Sequence, residues 1–213
     1  FGPTASGVSV TAETALHCAA VFGAVRVLAE TVQTLPLHLF RKTSDGGRER
    51  AEDHPAYALV TDAANPWTPA SEFRLVMQSA LSLHGNAFAY IGTTDRRPSE
   101  MIPFEPGAVV VEINRATMEP TYKATTAGGT QRTYTRSEIL HLRGFGAGYR
   151  GASPIEKCRE AIGLALILEQ YGAGLFGRGA RPGGILKTKG KLTAEIIERL
   201  RVSFDSVMKG GEK

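Results

Sequence analysis

The stretch 139-ILHLRGFGAGYRGASPIEKC-158 decides how this chain is read. Gly146, Gly148 and Gly151 have the G-x-G-x-x-G spacing of a dinucleotide-binding loop. A short apolar run precedes them and a helical pattern follows, which is the setting that motif requires. The residues after the glycines oppose a nucleotide. Ser153-Pro154-Ile155-Glu156 is written as a helix start: serine caps, proline takes the first helical position, and Glu156 is placed to reach back to the cap. A diphosphate at that position needs free amides and the positive end of the helix. Here Ser153 can satisfy one amide, and Glu156 puts a negative charge where phosphate would sit. No strand with a ribose-binding acid follows, because the helical pattern runs on to Phe176. The glycines therefore read as a mobile connector.

Other enzyme signatures fail in the same way. Gly172, Gly174 and Gly177 repeat the spacing at a helix end, where glycines cap and break. The run from Gly184 to Gly190-Lys191 approaches a P-loop, but it is one residue too long and ends in Leu192 instead of Ser or Thr. His17, His38, His54, His84 and His141 show no metal-binding spacing, and no G-x-S-x-G elbow is present. No catalytic residue, cofactor site or metal site is expected. Cys18 and Cys158 stand alone and read as small core residues.

A length of 213 residues allows one or two domains with a real core, and 42% hydrophobic with 22% charged residues is ordinary for a globular protein. No apolar run reaches the roughly 20 residues of a membrane span. The chain begins at Phe1 and stops at MKGGEK, so it reads as a fragment trimmed at both ends.

Outward from the glycine stretch, the hydrophobic period divides the chain. Residues 12–34 read as one helix capped by Thr11, followed by a short strand in TLPLHLFRK that closes in the turn cluster SDGG. Two more helices follow: HPAYALVTDA, halted at Asn65-Pro66, and PASEFRLVMQSALSLH, capped at or beside Ser71. From Asn86 the period changes from about 3.6 to 2. NAFAYIGTT, MIPFEP, AVVVEIN, PTYKATT and QRTYT read as antiparallel strands in a meander. The fold class is α+β.

The segment from Pro154 to Phe176 is the odd element. It is apolar nearly all round, with Gly163, Ala165, Gly172 and Ala173 as small positions, and such a helix must be covered on every side. At 1.5 Å per residue it spans about 33 Å, long for a small domain to wrap. Two readings stand: a central core helix, or a helix covered by identical copies that approach at its small residues. Beyond it, Arg178, Arg181, Lys187, Lys189 and Lys191 give +5 without an acid, so the net charge of +4 is a local property. LTAEIIERLRVSFDSVMKGG then reads as an amphipathic helix, with Ile196, Ile197, Leu200, Phe204 and Val207 inward.

Seven pieces in order, LAETVQTLPLHLF, HPAYALVTDAANPW, LHGNAFAYI, EILHLRG, GASPIEKCREAIGLAL, FGRGARPGGIL and GKLTAEIIERL, resemble the tailed-bacteriophage portal protein family. The resemblance implies a non-enzymatic dodecameric ring at a capsid vertex, with a channel for double-stranded DNA. Its implied partners are copies of itself, the major capsid protein, the terminase motor's large subunit, head-completion adaptors and DNA without sequence specificity, with no membrane. Residues 1–152 would form the wing, 153–182 the stem helix and connector, and 183–213 the start of an α/β clip, which the chain leaves incomplete. The basic residues would face DNA or the motor near the channel mouth. The alternatives are a sequence-independent DNA-binding module built on residues 178–191 and a nucleotide-binding enzyme built on the glycine loop. The resemblance places the protein in the virion, and in the host cytoplasm during assembly.

Overall fold

The computed structural model describes residues 3–125, 129–146, 148–177 and 193–209, with side chains in the last segment described through Phe204. The chain divides into two compact units, Phe1–Gly172 and Ala173–Lys213.

In the first unit the expected helix over 12–34 is two helices, α1 (Ala12–Ala15) and α2 (Ala19–Thr34). Thr11 caps α1 as expected, with a reciprocal bond from Thr14. The break follows from packing. Backbone bonds over Leu16, His17 and Cys18 tighten to three-residue spacing, and Cys18 turns extended. The bend brings Val10, Ala15 and Cys18 into one core with Ile155 and Ile162.

A hairpin of β1 (Phe40–Lys42) and β2 (Arg48–Arg50) closes around the SDGG turn. The helix expected over 54–63 is short, α3 (Tyr57–Thr61), because the chain turns into β3 (Ala63–Asn65), which pairs with β4 (Thr68–Pro69). Helix α4 (Ala70–His84) begins directly after Pro69, so Ser71 lies inside its first turn and does not cap it. Its C-terminus is Gly85, left-handed at φ 73°, whose amide bonds to Leu81 O.

The strands form two three-stranded sheets, not one meander. The first has the order β10-β5-β6 and the second β7-β8-β9, where β5 is Asn86–Thr94, β6 Arg97–Pro103, β7 Val109–Ile113, β8 Pro120–Thr125, β9 Gln131–Tyr134 and β10 Ile139–Arg143. The apolar run 139–142 is thus a strand on the free edge of β5, paired from Ile139 opposite Tyr90 to Arg143 opposite Asn86.

Alternation on β5 sorts its neighbours. Ala87 and Ala89 are fully buried beneath α4 with Phe73, Met77, Leu59 and Met101. Alanine suits that face because it lets the helix lie close. Phe88 and Tyr90 point the other way, into a core of Val111, Tyr122, Ala124, Tyr134 and Ile139. Their rings meet Tyr122 and Tyr134 edge-on or tilted, with centroids 6.0 and 5.6 Å apart. Sheet and helix share one strand, and its period of two separates two cores.

After the strands come α5 (Pro154–Lys157) and α6 (Arg159–Gly177), separated by the single residue Cys158. The bonds Cys158 N–H to Pro154 O and Ile162 N–H to Cys158 O carry the helical register across it. In the second unit, α7 spans Ala194–Lys209. Ile196, Ile197 and Leu200, expected to point inward, are exposed there, because nothing among the described residues covers that face.

Candidate assembly surfaces

In the glycine stretch, Gly144 and residues 149–152 form a packed strap where a mobile connector was expected. Asn86, the first residue of β5, holds it by its side chain. Asn86 Oδ1 accepts from Gly151 N–H at 2.8 Å, and Nδ2 donates to Gly151 O at 2.9 Å and His84 O at 3.3 Å. Backbones then meet directly: Gly144 N–H bonds to Gly85 O, and Ala152 N–H to Phe145 O. A Cβ on Gly151 would collide with Gly85 O, and one on Gly85 with Ala152 O. The glycines are required for this backbone-to-backbone approach. From the strap, Tyr149 Oη donates to Met118 O at 3.0 Å and Arg150 bonds to Val111 O, so it also grips the β7–β8 hairpin.

Those bonds occupy three of the amides around the helix start that a phosphate would use. Gly151 N–H belongs to Asn86, Ala152 N–H to Phe145 O, and Glu156 N–H to Ser153 Oγ at 3.2 Å. Ser153 Oγ in turn donates to Leu83 O at 2.8 Å, tying α5 to α4. Replacing Asn86 with alanine strips the part-buried strap of its bonds and should cost about 1–3 kcal/mol. Urea unfolding checks this, and a loss near zero would mean that water replaces the amide.

His141 extends the network. Its Nε2 lies 3.1 Å from Asn86 Oδ1 and its Nδ1 3.4 Å from Tyr122 Oη, and its ring stacks on Phe88. Because Oδ1 only accepts, Nε2 carries the proton and Nδ1 accepts from tyrosine. Burial holds His84 below the usual histidine range; burial and then the charge of Arg143 do the same to His141. A group with a depressed folded pKa takes its proton first in the unfolded chain. Its stabilisation is complete above the unfolded value of about 6.5 and is lost as pH falls below it. The urea midpoint should therefore drop on acidification through that value, and replacing both histidines with Asn should flatten the drop. An unchanged profile in the double variant would assign the effect to carboxylates.

Helix α6 has two different faces. Ile162 is buried, and Leu166 packs beside it against Val10, Ala15 and Cys18. At Gly163 a Cβ would meet Thr4 Oγ1 at 2.9 Å, and Ala5 N–H bonds to Glu160 Oε2, so the N-terminal segment lies across the helix there. Gly163 and Ala165 are thus covered within their own chain. Gly172 has open space around it, and Ala173, in the second unit, is exposed. The other face carries Leu164, Leu168 and Tyr171 at spacings of four and three, 53%, 59% and 70% exposed. Sequence reasoning placed the helix but singled out its small residues; the uncovered stripe is made of large ones.

Arg178, Arg181, Lys187, Lys189 and Lys191 lie outside the described residues. Among the described residues no cluster of His, Cys, Asp and Glu could hold a metal, and no helix is long and apolar enough to cross a membrane.

Among the described residues the chain is an α+β fold of small antiparallel sheets and helices, with an apolar stripe on α6 left uncovered. The phage portal protein family matches residues 19–213, and this chain belongs to it. It is 31% identical to the probable portal protein of Streptomyces phage phiC31, over 97% of this chain and 47% of that protein. Among solved structures it resembles an HK97-family phage portal protein from Corynebacterium diphtheriae at 16% identity, with a TM-score of 0.65 over 92% of this chain and 61% of that one. It also resembles a chain in the neck of an empty gene transfer agent particle at 21% identity, with a TM-score of 0.67 over 91% of this chain and 54% of that one. The chain spans about half the length of the curated relatives it matches.

Proposed function

We propose that the chain is the wing-and-stem part of a portal subunit, which assembles into a dodecameric ring at a capsid vertex and gives double-stranded DNA its path into and out of the head. The observation that carries this reading is the stripe of Leu164, Leu168 and Tyr171 left uncovered on α6. Full burial of each such side chain contributes about 1.5–3 kcal/mol, and a closed ring supplies the same cover at every copy. Residues 1–152 act as the wing, 153–182 as the stem helix and connector, and 183–213 open the clip. Gly172 and Ala173 are the positions where neighbouring stems approach. The role is structural, not enzymatic. The major capsid protein meets the ring at the vertex, and the terminase large subunit and head-completion adaptors dock at the clip. The basic residues from Arg178 to Lys191 meet DNA phosphates without sequence preference, or an acidic face of the motor. During assembly the subunit resides in the host cytoplasm.

The native mass of the full-length protein and electron micrographs of it test the reading. Rings with a central hole are expected; a monomer at all concentrations would overturn it.

A further inference from the structure

Between the second sheet and the strap lies a cleft of about 560 Å³ with two arginines at its rim, Arg136 and Arg143, and no acidic residue in its lining. Cations nearby are neutralised: Lys123 pairs with Glu112 at 2.9 Å and Arg132 with Glu138 at 3.1 Å. Glu138, close in sequence to Arg136, is already committed. It accepts from Thr135 N–H, the Thr135 hydroxyl and Arg132. Neither rim arginine forms an ion pair among the described residues. Arg143 gives one nitrogen to Gly148 O and keeps its other donors. The rest of the lining is mixed, with Pro120, Ile139 and Leu140 as its apolar members beside Tyr122, His141 and Tyr149.

We propose that this cleft binds the carboxylate of an acidic peptide segment on a partner protein, with Arg136 and Arg143 holding the carboxylate and the apolar lining taking the side chain that flanks it. Two guanidinium forks in the lining of one cleft, neither paired with an acid among the described residues, offer the planar donors that a carboxylate accepts. Duplex DNA fits the cleft less well, because it is bound by rows of cations along its phosphates and only two line this cleft.

The test uses the full-length protein and three fluorescent probes in low salt: a peptide with glutamates flanking a leucine, the same peptide with glutamine for glutamate, and a short DNA duplex. The glutamate peptide should bind, and the glutamine peptide should not. Arg136→Gln breaks no bond seen among the described residues and should weaken peptide binding about tenfold or more, since a hydrogen bond to a charged partner accounts for that much. Arg143→Lys keeps the charge but loses the fork, and should weaken it less. Unchanged affinity in Arg136→Gln, or equal binding of the two peptides, overturns the proposal. So does a duplex that binds more tightly than the peptide and loses that binding in Arg136→Gln, which would assign the cleft to nucleic acid.

Discussion

Replacing Gly85 with alanine is expected to destabilise the first unit by about 2–5 kcal/mol, the sum of two effects of known size. Gly85 is left-handed at φ 73°, which costs an L-residue about 1–2 kcal/mol. Its Cβ would also collide with Ala152 O. Neither partner yields easily, because Ala152 is fixed through its amide to Phe145 O and Gly85 O receives Gly144 N–H. Overpacking against backbone adds about 1–3 kcal/mol. Gly107 provides the control. It is left-handed at φ 84° with open space around it, so Gly107→Ala carries only the conformational cost of about 1–2 kcal/mol. Gly151→Ala, without the positive φ but with a Cβ directed at Gly85 O, should show the packing cost alone. Urea unfolding with linear extrapolation measures all three. Equal losses in Gly85→Ala and Gly107→Ala would mean that the strap does not rest on α4 in solution.

Leu168→Glu should abolish ring assembly while the subunit stays folded. Leu168 is 59% exposed in the single chain, and glutamate forms helix about as well as leucine, so subunit stability should change by no more than about 0.5 kcal/mol. In an assembled ring the same position loses about 1.5–3 kcal/mol of apolar burial at each interface and gains an unpaired buried charge. Because a ring repeats that loss at every copy, the assembled population should fall below detection. Native mass and thermal melting together decide it. Intact rings, or melting that collapses with assembly intact, would show that the stripe lies on a different surface. Gly163 is a poor probe of the same contact. A bulky residue there strikes Thr4 and Ser6 of its own chain, and so damages the subunit first.

Much of this was written in local pattern. The change from a 3.6 to a 2 period at Asn86 marked where α4 gives way to β5 within one or two residues, because periodicity depends on which side of a single element is buried. The Thr11 and Ser153 caps were legible for the same reason: a cap is a contact between residues three apart. The resemblance across seven ordered pieces pointed to the portal family, to which the chain belongs. What escaped was everything that depends on partners distant in sequence. Residues 140–143 alternate apolar and polar, but nothing local shows that their partner is the free edge of β5. The bend at Leu16–Cys18 exists because Ile155 and Ile162 arrive from the far end of the unit to pack there. The strap glycines looked like a nucleotide loop or a slack connector, since spacing cannot tell a turn that leaves amides open from one whose amides are already bonded. Asn86, 65 residues away from Gly151, settles that choice. Arg136 and Arg143, which form no ion pair among the described residues, are ordinary surface residues in the sequence; they line one cleft only because β10 and the strap fold back beside β8.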